Sequence, residues 1–209
     1  MLGSTLHTVN IRLSPSQIAY TIDHAEDDVI LFHADFIPLL EEVMLEVKRD
    51  ARLIVMRDSA DIELPQTTLK IEAIFDELFI NTDQYFSFPD FDENTRATTF
   101  YTTGTTGNPK AVAYSHRQLV LHTMGILATF GPMSANNRFH NRDVYMPITP
   151  MFHVHGWGFP YAATMLGLKQ IYPNRYVPNR LAELVCEHKV TFSHCVPTIL
   201  HMLLDSDAA

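Results

Sequence analysis

The sequence predicts an α/β fold in which mostly parallel sheets are flanked by helices. Two observations carry this reading. Apolar periodicity switches repeatedly from strand-like to helix-like, with the strand-like run coming first each time, and helix-start signatures stand directly after several of those runs. At 209 residues the chain can bury roughly 70% of its unfolded surface in one or two cores, so it needs no disulfide or metal staple.

The elements follow in order. LHTVNIRL (6–13) alternates loosely as a strand, and Ser14-Pro15-Ser16-Gln17 then offers an N-cap, a proline at the first helical position and a glutamine at the third. Ile18, Ile22 and Ala25 mark the buried stripe of the helix that begins there, VILF (29–32) reads as a short buried strand, and Phe36, Leu40, Val43 and Val47 mark a second helix before the strand LIVM (53–56). From Asp76 to Asn94 the chain turns acidic and aromatic, with Pro89 inside it, and reads as a short helix tail followed by a surface connection. The predicted organisation is therefore a partial first α/β subdomain over 1–94, ending in that acidic connection, and a second over 95–209. The second opens with TTFYT, a glycine-threonine loop, a strand over Ala111–Tyr114 and a helix from Ser115 with another S-x-x-Q cap; DVYMPI with WGFPYAATML, KQIY with RLAELVCEH, and TFSHCV with PTILHMLL repeat the strand-then-helix order.

Composition excludes several classes. With 24 acidic residues against 15 basic, the chain lacks the cationic footprint that nucleic-acid backbones demand. Cys186 and Cys195 are the only cysteines, which fits a reducing, cytoplasmic setting. The N-terminus has no cationic segment or apolar core of a signal peptide. Val144 to Leu168 carries no Asp, Glu, Lys or Arg, but Pro147, Pro150 and Pro160 together with His153 and His155 argue for a buried wall rather than a membrane span.

YTTGTTGNPK (101–110) is the most specific local pattern. Glycines let consecutive N–H groups converge on phosphate oxygens, and the hydroxyls of Thr102, Thr103, Thr105 and Thr106 add donors. Lys110 supplies a full charge behind Pro109. The spacing is not that of a P-loop, which needs lysine directly after the second glycine and a hydroxyl next, and no G-x-G-x-x-G is present. On residues alone, a flexible turn is the alternative.

YTTGTTGNPKAVAYSHR closely resembles the phosphate-binding motif of the adenylate-forming (AMP-binding) superfamily. MPITPMFHVHGWGFPYAATMLG (146–167) resembles that superfamily's next motif, nearest the medium- and long-chain fatty acyl-CoA synthetase branch, and TFSHCVPTILHMLL and LHTVNIRLSPSQIAYTIDHAED resemble further segments of it. The resemblance spans nearly the whole chain and implies part of the N-terminal domain of an acyl-CoA synthetase-like fold. It departs at Ala111, where the family has glycine. The implied activity has two steps: a carboxylate attacks the α-phosphorus of ATP to give acyl-AMP and pyrophosphate, and the thiol of coenzyme A then displaces AMP. By this resemblance Thr102, Thr103, Gly104, Thr105, Thr106 and Gly107 hold phosphates, Lys110 neutralises them, Thr102 reaches Mg²⁺, His153 sits beside the fatty acid carboxylate, Val154 lies near the nucleotide and Trp157 lines the acyl tunnel.

Each role has a plainer rival. His153 and His155 could be zinc ligands with His140 or His194, His153 could be a core histidine, Trp157 could be packing, and Asp90, Asp92 and Glu93 read as a solvated loop before a metal cluster. Three motifs that complete the family's site are missing from the sequence: Y-G-x-T-E, T-G-D and a lid with a second lysine. The expectation is therefore a fragment, weakly active or inactive alone. Its rival is a non-catalytic nucleotide-binding module, or half of a split enzyme that self-associates or pairs with a complementary C-terminal chain.

Overall fold

The computed structural model describes residues 2–80, 82, 85–103, 107–133 and 138–205. Strand and helix alternate through most of the chain: β1 (Leu6–His7), α1 (Pro15–Ala25), β2 (Val29–His33), α2 (Ile37–Met44), β3 (Arg52–Met56), β4 (Ile71–Ile74), β5 (Arg96–Thr102), β6 (Lys110–Ser115), α3 (His116–Phe130), β7 (Val144–Pro147), α4 (Val154–Trp157), α5 (Phe159–Met165), β8 (Lys169–Gln170), α6 (Pro178–His188), β9 (Phe192–His194) and α7 (Pro197–Leu204). The chain forms two compact units. One comprises Met1–Phe91 with Tyr101–Val112, the other Asp92–Phe100 with Ala113–Ala209.

In the first unit β2, β3 and β4 form a sheet in that order, β3 parallel to both neighbours. Ile18 and Ile22 of α1, Ile37, Leu40 and Val43 of α2, and Phe32, Leu53 and Val55 of the strands close a single apolar core. The stripes at i, i+3 and i+4 on each helix are what allow this burial. Two expectations need correction. The strand over 6–13 is only the two residues of β1, because a turn follows and Ile11 points to solvent. β4 was not foreseen, since IEAI has neither a clean alternation nor flanking turn residues.

In the second unit the order is β8-β7-β9, parallel throughout the described pairs. Here the uncharged run from Val144 pays off as a wall: Tyr145, Met146, Ile148 and Thr149 are buried, and Pro160, Ala162 and Ala163 of α5 are buried behind them. Tyr145, Phe139, Phe159 and Phe192 stack as an aromatic cluster, with Phe139 and Phe192 centroids 4.5 Å apart. Among the described residues no helix is long and apolar enough to cross a membrane. β5 and β6 lie side by side in a sheet with β1, and the connection between them is too short for a parallel crossover.

Candidate active site

The glycine-threonine loop belongs to the first unit. β5 ends at Thr102 and β6 begins at Lys110. The Thr102 hydroxyl donates to the Lys110 carbonyl at 3.4 Å, bracing the base of the loop. That bond uses the O–H as donor and leaves the oxygen lone pairs open, the arrangement a hard cation requires. Gly107 has φ 87° with nothing near the place a Cβ would occupy, a backbone that glycine adopts without penalty. Pro109 is buried while Thr103 and Lys110 are exposed. Gly104, Thr105 and Thr106, assigned above to phosphate, lie outside the described residues.

Behind the loop, Tyr101 is buried and its hydroxyl meets His24 Nδ1 at 2.8 Å. Its ring lies 5.1 Å from that of His7, which pairs with Asp27 at 2.7 Å. The residue preceding the loop is thus held by side chains from α1 and β1.

The second motif belongs to the other unit and has an unusual backbone. Val154, His155, Gly156, Trp157 and Gly158 have φ of 47°, 52°, 61°, 59° and 77°, a turn of left-handed helix. For an L-residue each such step costs on the order of 1–2 kcal/mol, and strain of this kind persists only where surroundings impose it. They do so here. The Gly156 and Trp157 N–H groups both donate to the His153 carbonyl, at 3.0 and 3.4 Å. His122 on α3 donates through Nε2 to the Trp157 carbonyl at 3.3 Å. His155 is 1% exposed, bonds through Nε2 to the Thr98 hydroxyl, and meets Phe100 edge to face at 5.4 Å. A Cβ on Gly158 would come within 2.5 Å of His122 Nε2, so only glycine fits beneath that ring.

The turn separates the two histidines of H-x-H. His153 is exposed with its ring 4.7 Å from Phe152, whereas His155 is the core histidine. Among the described residues no group of three His, Cys, Asp or Glu comes together as a metal site. Trp157 is 61% exposed, and Val154 is half-buried. The helix expected over 157–166 starts only at Phe159, because Gly158 is still left-handed. Of the acidic residues at 90–93, Asp92 caps a turn by accepting from the Asn94 N–H at 2.8 Å, and Glu93 pairs with Arg117.

Beside the turn lies a cavity of about 80 Å³, lined among others by Tyr114 of β6, Gln118 and His122 of α3, Val154, His155 and Tyr161 of α5. Sequence reasoning did not single out Tyr114 or His122, nor Gln118 beyond its capping role; the only available signal was the i, i+4 spacing of Gln118 and His122 on a helix that follows the loop's strand. Burial pushes the pKa of the Tyr145 hydroxyl far up, and that hydroxyl shares a hydrogen bond with His194 Nδ1 at 3.2 Å. Burial lowers the His194 pKa, with the Gly156 backbone partly opposing.

All 209 residues match the profile described as AMP-binding enzyme, and the chain belongs to that family of adenylate-forming CoA ligases. It is 41% identical to 3-methylmercaptopropionyl-CoA ligase of Ruegeria pomeroyi over 97% of this chain and 36% of that one. It is also 41% identical to long-chain-fatty-acid–CoA ligase of Thermus thermophilus over 98% of this chain and 35% of the relative. Among solved structures, an anthranilate CoA ligase in complex with anthranoyl-AMP superposes with a TM-score of 0.78 at 19% identity, over 99% of this chain and 38% of that one. The chain thus spans little more than a third of the length of these proteins.

Proposed function

We propose that this chain supplies the phosphate-binding loop and the acyl-site motif of an ATP-dependent ligase that joins a carboxylic acid of fatty type to coenzyme A. The observation that carries it is the loop anchored between Thr102 and Lys110, with the lysine exposed at the strand edge, in a chain whose whole length matches the family. In this reading the loop residues from Thr102 to Gly107 cradle the β- and γ-phosphates and Lys110 compensates their charge. Mg²⁺ bound with ATP would screen the triphosphate, and the Thr102 oxygen is the ligand the chain offers it. His153 faces the acid's carboxylate, Val154 the nucleotide, and Trp157 with the adjoining cavity the acyl tail. The acids in the relatives' names, 3-methylmercaptopropionate and long-chain fatty acids, bracket a wide range of tails. A cytoplasmic setting accords with this substrate chemistry.

Calorimetry of the whole chain with Mg·ATP tests the loop. Binding is expected, and Lys110→Ala should weaken it by tenfold or more, the equivalent of about 1.5–3 kcal/mol for a charge-assisted hydrogen bond. Equal affinity in the variant removes the loop from the site. A second reading is a nucleotide-binding module that needs a complementary chain for chemistry. Pyrophosphate exchange in the presence of octanoate or palmitate separates the two, since only the ligase exchanges.

A further inference from the structure

We propose that His24 is a positioning residue for Mg·ATP: by holding the Tyr101 hydroxyl it fixes the strand end from which Thr102 and Lys110 reach the phosphates. This rests on the ligase reading and extends it to a residue outside both motifs.

The anchorage of that strand end is one-sided. On the β6 side Lys110 and Ala111 are exposed, and the Thr102–Lys110 bond, at 3.4 Å, is long. Pro109 is buried, but its side chain has no polar atom to hold. On the β5 side Thr102 and Thr103 are exposed, whereas Tyr101 just before them is 6% exposed. Its hydroxyl meets His24 Nδ1 at 2.8 Å. A phenol both donates and accepts, so this bond forms with either tautomer of the ring. Both rings are confined. Tyr20, one turn earlier on α1, lies 5.4 Å from the His24 ring. His7 lies 5.1 Å from the Tyr101 ring, tilted by 52°, and is itself held by the Asp27 carboxylate at 2.7 Å. A hydrogen bond between two confined rings passes position on instead of absorbing it, and binding groups lose affinity when the residues behind them are loose.

The test is calorimetry of the whole chain with Mg·ATP, at a temperature where melting curves show each variant folded. Tyr101→Phe removes one oxygen and His24→Leu removes the ring nitrogens; each is expected to weaken binding about fivefold, the scale of one hydrogen bond. Combined, they should still cost about fivefold and not about twenty-fivefold, because both cut the same contact. His24→Asn, whose amide stands near the place of Nδ1, should bind within about twofold of wild type. Ser14→Ala, at the far end of α1, removes that helix's cap and should leave affinity unchanged. His24 is itself exposed, so its variants carry the test should Tyr101→Phe not fold. A folded His24→Leu that binds as tightly as wild type overturns the positioning role and leaves the ligase reading standing. Multiplied losses in the double variant, an unrescued His24→Asn, or an equal loss in Ser14→Ala overturn it as well. No binding of Mg·ATP to the wild-type chain removes the reading and this role together.

Discussion

Gly158 shows how one residue type can decide a site's shape. It holds φ 77° and lies so close to the His122 ring that an added methyl would reach 2.5 Å from Nε2. Gly158→Ala therefore combines a left-handed backbone penalty with a clash, and should lower stability by about 2 kcal/mol or more. His122→Ala alone should cost about 1 kcal/mol for the lost bond to the Trp157 carbonyl. The double variant should be more stable than the sum of the two losses implies, because removing the ring removes the clash and leaves only the backbone term. Denaturant titration of the three variants checks this, and strict additivity would mean that the ring does not enforce the glycine. None of this was legible in the sequence. H-x-H and W-G-F-P name the residues but not the handedness of the backbone, which is imposed by α3 and by Thr98, far away along the chain.

At the scale of elements, local chemistry was readable wherever it is self-contained. Both S-x-x-Q patterns are capping boxes: Gln17 N–H to Ser14 Oγ at 3.3 Å with the return bond at 3.3 Å, and Gln118 N–H to Ser115 Oγ at 3.2 Å with a return bond at 2.9 Å. The tighter pair should matter more. Ser115→Ala is expected to cost about 1 kcal/mol, a melting shift of roughly 2–4 °C in a chain of this size, and Ser14→Ala somewhat less; thermal melts with the order reversed would contradict this. The helices α1, α6 and α7 lie where the apolar stripes put them, and VILF, LIVM and TTFYT form strands within a residue or two of the reading. The failures share a cause. β1 was overextended and β4 overlooked because strands of two to four residues owe their existence to a neighbour's hydrogen bonds, not to their own pattern.

For the whole molecule, family membership was legible through the two motifs' resemblance, while the cavity that joins β6, α3 and α5 into one lining was not, since it depends on packing between elements distant in sequence. The core also carries a pH dependence. His194 is half-buried, and its partial burial holds its pKa below 6.5, so the folded chain keeps it neutral while the unfolded chain protonates it. Stability is then whole above pH 6.5 and declines as pH falls below it, until the folded pKa is reached. Melting curves between pH 8 and pH 5 should show wild type losing ground to His194→Gln over that window; parallel curves would mean that the ring does not titrate with unfolding. Neither compact unit is a continuous stretch, because 92–100 belongs to one and 101–112 to the other. During synthesis the earlier unit therefore waits for its last piece. Its core helices and strands are out of the ribosome long before Tyr101 arrives to meet His7 and His24, so a nascent chain halted before residue 101 would hold an unfinished body, open where the glycine-threonine loop is rooted.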